Sequence, residues 1–343
     1  MTSIAASMEA ELYASATAVH RQETDLVKPI AALVIRLAER RPKLVMTCAR
    51  GSSAHAAKFA KHMVERHVGI PVAAAAPNIT TRYHRSLDLK GQLFLSISQS
   101  GRSDDLIEMT TMARDAGALT ATLVNDVESP LARASELVLP LCAGPELSVA
   151  ATKSFVASLA ALLRILAAWT QDRSLREACA RLPDRLAGSA ALDWSEALDP
   201  LTHANSVVTI GRGPTFAIAY EAALKLKETC GLHAEAFSAA EFQHGPIALV
   251  SPSYPVLVFR PNDEAGAGFS DLVNDLRRKG GRVLVAESSG HETSRLPTLC
   301  PDQAEADAIC LIQSFYGLLI KLAALRGTDA DQPRHLKKVT RTR

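Results

Sequence analysis

The chain has 343 residues, 48% hydrophobic and 22% charged, the makeup of a soluble globular protein long enough for two or three domains. Thirty-eight Lys and Arg against 36 Asp and Glu leave a formal charge of only +2, so no chain-wide basic field exists to attract nucleic acid. Six scattered cysteines form no Cys-x-x-Cys pair and no Cys/His cluster at ligand spacing, which argues against a structural metal and for a reduced, cytoplasmic protein.

Residues 1–10 lack a basic start followed by an apolar run, and the most apolar stretch, 156–169, is interrupted by Arg164, so neither export nor membrane insertion is expected. Over residues 8–40 apolar positions recur at helical spacing, with Pro29 as the expected break between two helices. There follow a strand at 43–48, a helix at 53–67, strands at 70–75 and 92–97, a helix at 103–116, strands at 119–124 and 136–141, and a helix at 150–170. Such βα alternation implies a parallel sheet covered by helices on both faces. Residues 172–204 are polar and proline-punctuated and read as a linker containing helix. A second series then comprises strand 206–210, helix 215–230, strand 255–259, helix 268–279, strand 281–286 and helix 304–326.

The second series repeats the first. The segment from Val45 to Ser52 is echoed by Val207 to Pro214, an offset of 162 set by Gly51 and Gly213. At the same offset Leu93–Ile97 falls on Pro255–Phe259 and Thr122–Val124 on Leu284–Ala286. Several elements in order at one spacing indicate internal duplication. The expected fold is α/β: two tandem, doubly wound, flavodoxin-like parallel-sheet domains without a nucleotide. The expected division is N-terminal helices at 1–40, a first domain at 41–171, a linker at 172–204, a second domain at 205–328 and a tail at 329–343.

Function should lie where the copies differ. Ser98-Gln99-Ser100-Gly101-Arg102-Ser103 follows an apolar strand and precedes a helix, offering hydroxyls, an amide and free backbone N–H groups at the positive end of a helix dipole. This suits a phosphate, although an ordinary turn with Ser103 as N-cap uses the same residues. The equivalent second-copy loop, Arg260-Pro261-Asn262-Asp263, has lost every hydroxyl, while Ser52 and Ser53 follow the neighbouring first strand. Neither the P-loop spacing nor a complete Gly-x-Gly-x-x-Gly is present, which points to a small phosphorylated ligand rather than a nucleotide.

In the second domain Glu221, Lys225 and Glu228 share one helix face by their spacing of four and three. They are either a salt-bridged solvent face or, given the Ala- and Leu-rich surroundings, an inward cluster suited to proton transfer. His244, before Gly245-Pro246, is a candidate acid–base group that a purely structural histidine would equally resemble. The basic cluster from Arg334 through Lys338 reads by itself as a solvated tail.

Residues 144–155 (Gly-Pro-Glu-Leu-Ser-Val-Ala-Ala-Thr-Lys-Ser-Phe), Ser98-Gln-Ser-Gly101, the run Glu221 to Glu228, His233-Ala-Glu-Ala236, Glu241-Phe-Gln-His-Gly-Pro246 and Asp331 to Lys338 together resemble the double sugar-isomerase (SIS) domain proteins. More narrowly they resemble the isomerase half of glutamine–fructose-6-phosphate aminotransferase and its stand-alone relatives. The resemblance implies that Ser52, Ser53, Ser98, Gln99, Ser100 and Ser103 hold a sugar phosphate. It further implies that Glu228 moves a proton between C1 and C2, His244 opens the sugar ring, Lys338 reaches the open-chain carbonyl, and Glu221 and Lys225 support the site electrostatically. It implies a homodimer whose active site takes the histidine loop from the partner chain, and requires neither metal nor cofactor.

Three departures bear on the reaction. Thr2 follows Met1 where the amidotransferases place a catalytic cysteine, so a glutaminase domain is not expected. Ser-Gly-Arg-Ser at 100–103 replaces Ser-Gly-Glu-Thr, and Ala-Arg-Gly-Ser at 49–52 replaces Cys-Gly-Thr-Ser. The expected activity is therefore that of an amino-sugar-phosphate deaminase, converting glucosamine 6-phosphate and water to fructose 6-phosphate and ammonia. Alternatives are a fructosamine-6-phosphate deglycase, an aldose–ketose isomerase, an ammonia-dependent aminating enzyme and a non-catalytic sugar-phosphate sensor. A phosphorylated amino sugar is the expected partner, with no nucleic acid and no membrane.

Overall fold

In the computed structural model, which describes residues 8–287 and 295–338, the apolar runs become two five-stranded parallel sheets. The first series runs α1 (Met8–Asp25), α2 (Val27–Arg40), β1 (Val45–Cys48), α3 (Gly51–His67), β2 (Val72–Ala74), α4 (Asn78–Thr81), β3 (Leu93–Ser98), α5 (Asp104–Asp115), β4 (Leu119–Val124), α6 (Pro130–Ala134), β5 (Leu137–Pro140) and α7 (Lys153–Thr170). The second runs α8 (Arg173–Ala190), α9 (Leu198–Thr202), β6 (Ser206–Gly211), α10 (Pro214–Cys230), β7 (His233–Ser238), α11 (Ala239–Phe242), β8 (Pro255–Phe259), α12 (Phe269–Arg278), β9 (Arg282–Glu287), β10 (Arg295–Pro297) and α13 (Ala304–Leu325).

The sheet orders are β2-β1-β3-β4-β5 and β10-β9-β8-β6-β7, the same doubly wound order read from opposite ends. Met46 is in register with Ala73 and Phe94, and Val208 with Glu235 and Val256, so the offset of 162 holds through three strands. It does not hold through the fourth. Phe94 is in register with Thr120 but Val256 with Val283, a separation of 163, so the second copy has gained one residue between its third and fourth strands.

Two strands have no apolar run to announce them. β7 and β10 lie at the edges of the second sheet, and along β7 exposed His233 and Glu235 flank buried Ala234. An edge strand carries polar residues wherever one face is in water. The first helical break falls at Leu26 rather than at Pro29, which sits in the first turn of α2. A proline is tolerated there because N–H groups of that turn have no intrahelical acceptor. In α8, Pro183 lies inside the helix and leaves the Cys179 carbonyl without its N–H donor four residues on; Arg164 Nη2 donates to it instead, at 3.3 Å.

The chain forms two compact units. One comprises residues 17–146, 153–181 and the tail from 337, and contains the first sheet; the other comprises residues up to 16, then 147–152 and 182–336, and contains the second. In the first unit Phe94, Leu106, Met109 and Leu131 form part of a core on one sheet face, while α7 packs on α3 and α2. In the second, Val208, Val256, Phe242 and Leu276 share a core and α13 packs on α10. Each fully buried Leu, Val or Phe contributes about 1.5–3 kcal/mol. Helices α7 and α13 are long and apolar enough to cross a membrane, yet 78% and 72% of those windows are buried, as core helices require.

Candidate active site

In the first sheet the chain reverses its winding between β1 and β3, which are adjacent, so the loops leaving their carboxyl ends flank the switch point where open α/β sheets take ligands. After β1 the chain enters α3 directly: Ser52 is buried and Ser53 partly exposed in its first turn. After β3 come Ser98, buried at the strand end, and Gln99 and Ser100, both half-exposed. Gly101 N–H donates to Ser98 Oγ at 3.0 Å, and Arg102 N–H to Ser100 Oγ at 3.4 Å. Gly101 has φ +63°, and a Cβ there would meet Ser129 Oγ at 2.1 Å. Only glycine fits this bend.

Ser103 occupies the N-cap position of α5 in extended backbone, but its side chain makes no capping hydrogen bond. The capping hydrogen bond that the turn-only reading of this serine would supply is thus not made. The first turn of α5 carries Asp104 and Asp105, which would repel an anion. Asp105 is buried and bridged by Arg50 at 2.7 Å, which offsets its charge. Arg50 and Asp105 carry no role in the sequence reading; the departure at 49–52 is the signal that marks the arginine.

In the same unit the tail returns to the start of α7. Lys338 Nζ pairs with Glu146 Oε2 at 3.0 Å; the Glu146 side chain is fully buried and that of Lys338 is 26% exposed. Glu146 is fixed by Ser154, whose N–H donates to Oε1 at 2.8 Å and whose hydroxyl donates to Oε2 at 2.7 Å. A carboxylate facing the first turn of α7 is favoured by the helix dipole, and it anchors an ammonium that would otherwise be solvated. The basic tail is thus not simply a solvated tail at Lys338. Sequence reading passed over Glu146, although it lies within the motif from Gly144 to Phe155.

In the other unit Glu221, Lys225 and Glu228 lie along α10. Lys225 Nζ is 3.5 Å from Glu221 Oε1 and 2.5 Å from Glu228 Oε2, with side-chain exposures of 1% for Lys225, 0% for Glu221 and 22% for Glu228. The solvent-face alternative is thereby excluded for Glu221 and Lys225. Tyr316 Oη of α13 donates to Glu221 Oε1 at 3.3 Å, a partner that no local pattern indicates. Two carboxylates about one ammonium leave a formal charge of −1, and the most exposed member, Glu228, is the one a ligand can reach. A carboxylate so held can accept and return a proton.

β7 follows α10, and Ser238 caps α11 by accepting from Glu241 N–H at 3.1 Å. His244 N–H donates to Glu241 O at 2.9 Å, and Gly245 at φ +134° turns the chain into Pro246. His244 is exposed, and no side-chain hydrogen bond ties it to the cluster on α10 among the described residues. Tyr220, on α10, has its phenol pushed above the ordinary value by burial and then by the nearby Glu241 and Glu235 carboxylates. Among the described residues no group of three or more His, Cys, Asp or Glu is arranged to hold a metal ion.

These are two doubly wound domains, one with a serine-lined cradle and the other with a buried carboxylate–ammonium cluster. The model of the family described as SIS domain matches residues 40–168 and 200–325, and the chain belongs to that family, with two copies of the domain. Among its relatives, the chain is 34% identical over 322 residues to the isomerizing glutamine–fructose-6-phosphate aminotransferase of Zymomonas mobilis, an alignment covering 86% of this chain and 51% of that protein. The chain thus spans about half the length of the curated relatives it matches. A candidate phosphosugar isomerase from Silicibacter pomeroyi is 39% identical, with a TM-score of 0.89 over 94% of this chain and 99% of that one. The C-terminal domain of glucosamine-fructose-6-phosphate aminotransferase from Francisella tularensis is 26% identical, with a TM-score of 0.85 over 95% and 98%.

Proposed function

We propose that the chain is a phosphosugar enzyme that deaminates glucosamine 6-phosphate, giving fructose 6-phosphate and ammonia. The observation that carries this reading is the carboxylate–ammonium cluster of Glu221, Lys225 and Glu228 on α10, in a chain related to the isomerase portion of amino-sugar-phosphate enzymes. Ser52, Ser53, Ser98, Gln99, Ser100 and Ser103 hold the phosphate by charge-assisted hydrogen bonds, each worth about 1.5–3 kcal/mol. His244 opens the pyranose, and in a homodimer the partner chain would supply it. Glu228 removes the C2 proton of the open-chain amino aldehyde and delivers a proton to C1, leaving an imine at C2. Water adds to that carbon, the C–N bond breaks, and ammonia leaves as the ketone forms. Lys338, held by Glu146, attends the open-chain carbonyl, while Lys225, itself paired with Glu221, holds Glu228 in place through their ion pair.

The chemistry is reversible, and the departure at Ala49-Arg50-Gly51-Ser52 favours deamination over glutamine-driven synthesis. The test is a coupled assay of ammonia release from glucosamine 6-phosphate, run beside glutamine plus fructose 6-phosphate and beside glucose 6-phosphate alone. Ammonia and fructose 6-phosphate in equal amounts are expected from the first mixture only. Interconversion of glucose and fructose 6-phosphates without ammonia release would replace the reading by an aldose–ketose isomerase, and glutamine-dependent synthesis would reverse its direction.

A further inference from the structure

The second unit carries a cavity of about 510 Å³ at the carboxyl ends of its own strands, lined by the loop after β8, the end of β9, the segment after β10, the first turns of α13 and one face of α8. By the internal repeat this is the counterpart of the serine cradle, since the offset of 162 places Ser98 on Arg260 and Ser100 on Asn262. Its volume lies within the roughly 300–1,000 Å³ usual for small-molecule sites.

Its chemistry differs from that of the cradle. Arg260 pairs with Glu287 at 2.9 Å, and Arg185 pairs with Asp307, which also accepts from Asn262 and from Asp302 N–H at 2.8 Å. Arg185 is further fixed by donating to Cys300 O at 2.9 Å. These pairs are held by partners on different elements, so their donors and acceptors form a rigid, preformed array. Two arginines line the space against the carboxylates of Asp263, Glu264, Glu287 and Asp307. The excess of negative charge repels phosphate, and burial holds the Asp307 carboxyl above its ordinary value. Leu192, Leu299 and Leu311 add an apolar wall. Guanidinium donors and carboxylate acceptors together in one cavity beside an apolar wall match a molecule with neighbouring hydroxyls on an otherwise apolar ring.

We propose that this cavity is a second ligand site, separate from the serine cradle, which takes a hydroxyl-rich molecule lacking an anionic group: an unphosphorylated sugar or amino sugar. The probes are glucose and glucosamine, followed by saturation-transfer NMR on the full chain. Ala267→Trp blocks the cavity from its exposed rim, where the backbone at φ −60° and ψ 134° accepts any side chain, so the fold should be retained, as thermal unfolding would verify. The expected result is a saturable signal from at least one probe in the parent and in the Ser98→Ala/Ser100→Ala variant, and its loss in Ala267→Trp. Absence of a saturable signal from both probes in the parent, survival of the signal in a folded Ala267→Trp variant, or its loss in the serine variant would each overturn the assignment.

Discussion

Replacing Lys225 with methionine keeps an unbranched side chain, one heavy atom shorter, and removes its charge and hydrogen bonds. Lys225 is 1% exposed and Glu221 fully buried, 3.5 Å apart. At an effective dielectric of about 20 that separation corresponds to roughly 5 kcal/mol of attraction, part of which is spent on desolvating both groups. Tyr316 still donates to Glu221 in the variant, but the carboxylate loses its counter-charge. Removal of one partner from a buried pair costs about 3–5 kcal/mol, and Glu228, with 22% exposure, adds less because water reaches it. In a unit of this size each kcal/mol lowers the unfolding temperature by about 2–4 °C, so Lys225→Met should melt roughly 10 °C below the parent, read by circular dichroism. The double change Glu221→Gln/Lys225→Met should recover more than half of that fall, since it leaves no unpaired charge between the two. A single variant melting within about 2 °C of the parent, or a double variant less stable than the single, would refute the assignment of a coupled buried pair.

Glu228→Gln preserves shape and should reduce kcat for deamination by at least about 100-fold, with KM within a few-fold and a parallel slowing of deuterium exchange at C2; near-parental kcat would transfer the role to Glu221. Gly101→Ala forces a Cβ onto Ser129 Oγ at a positive φ, and should cost at least about 1–3 kcal/mol of stability while raising KM for phosphorylated substrate. At pH 8 the exposed Cys300 should react at once with Ellman's reagent. Burial pushes Cys48 and Cys310 up to about 12 and Cys142, Cys179 and Cys230 up to about 11, so these stay protonated thiols and should react only after denaturant is added; fast labelling of more than one thiol would contradict this.

What the sequence by itself determined was local. β1, β3, β4 and β8 were legible because strands buried on both faces read as predominantly apolar, β-rich runs broken only by small hydroxyl residues, and the glycine-bearing loop after β3 because its bend admits no side chain. The common face of Glu221, Lys225 and Glu228 follows from helical periodicity alone. Tertiary structure decided what lies across long stretches of chain: the edge strands β7 and β10, recognisable only by their pairing; the contact of Tyr316 with Glu221, 95 residues away; and that of Lys338 with Glu146, 192 residues away. It also decided that Glu221 and Lys225 are buried whereas Glu228 keeps an open edge, because α13 covers one part of α10 and a helix's own spacing does not tell which part another helix will cover. Backbone sterics act over a few residues, whereas burial and pairing depend on groups that only the folded chain brings together.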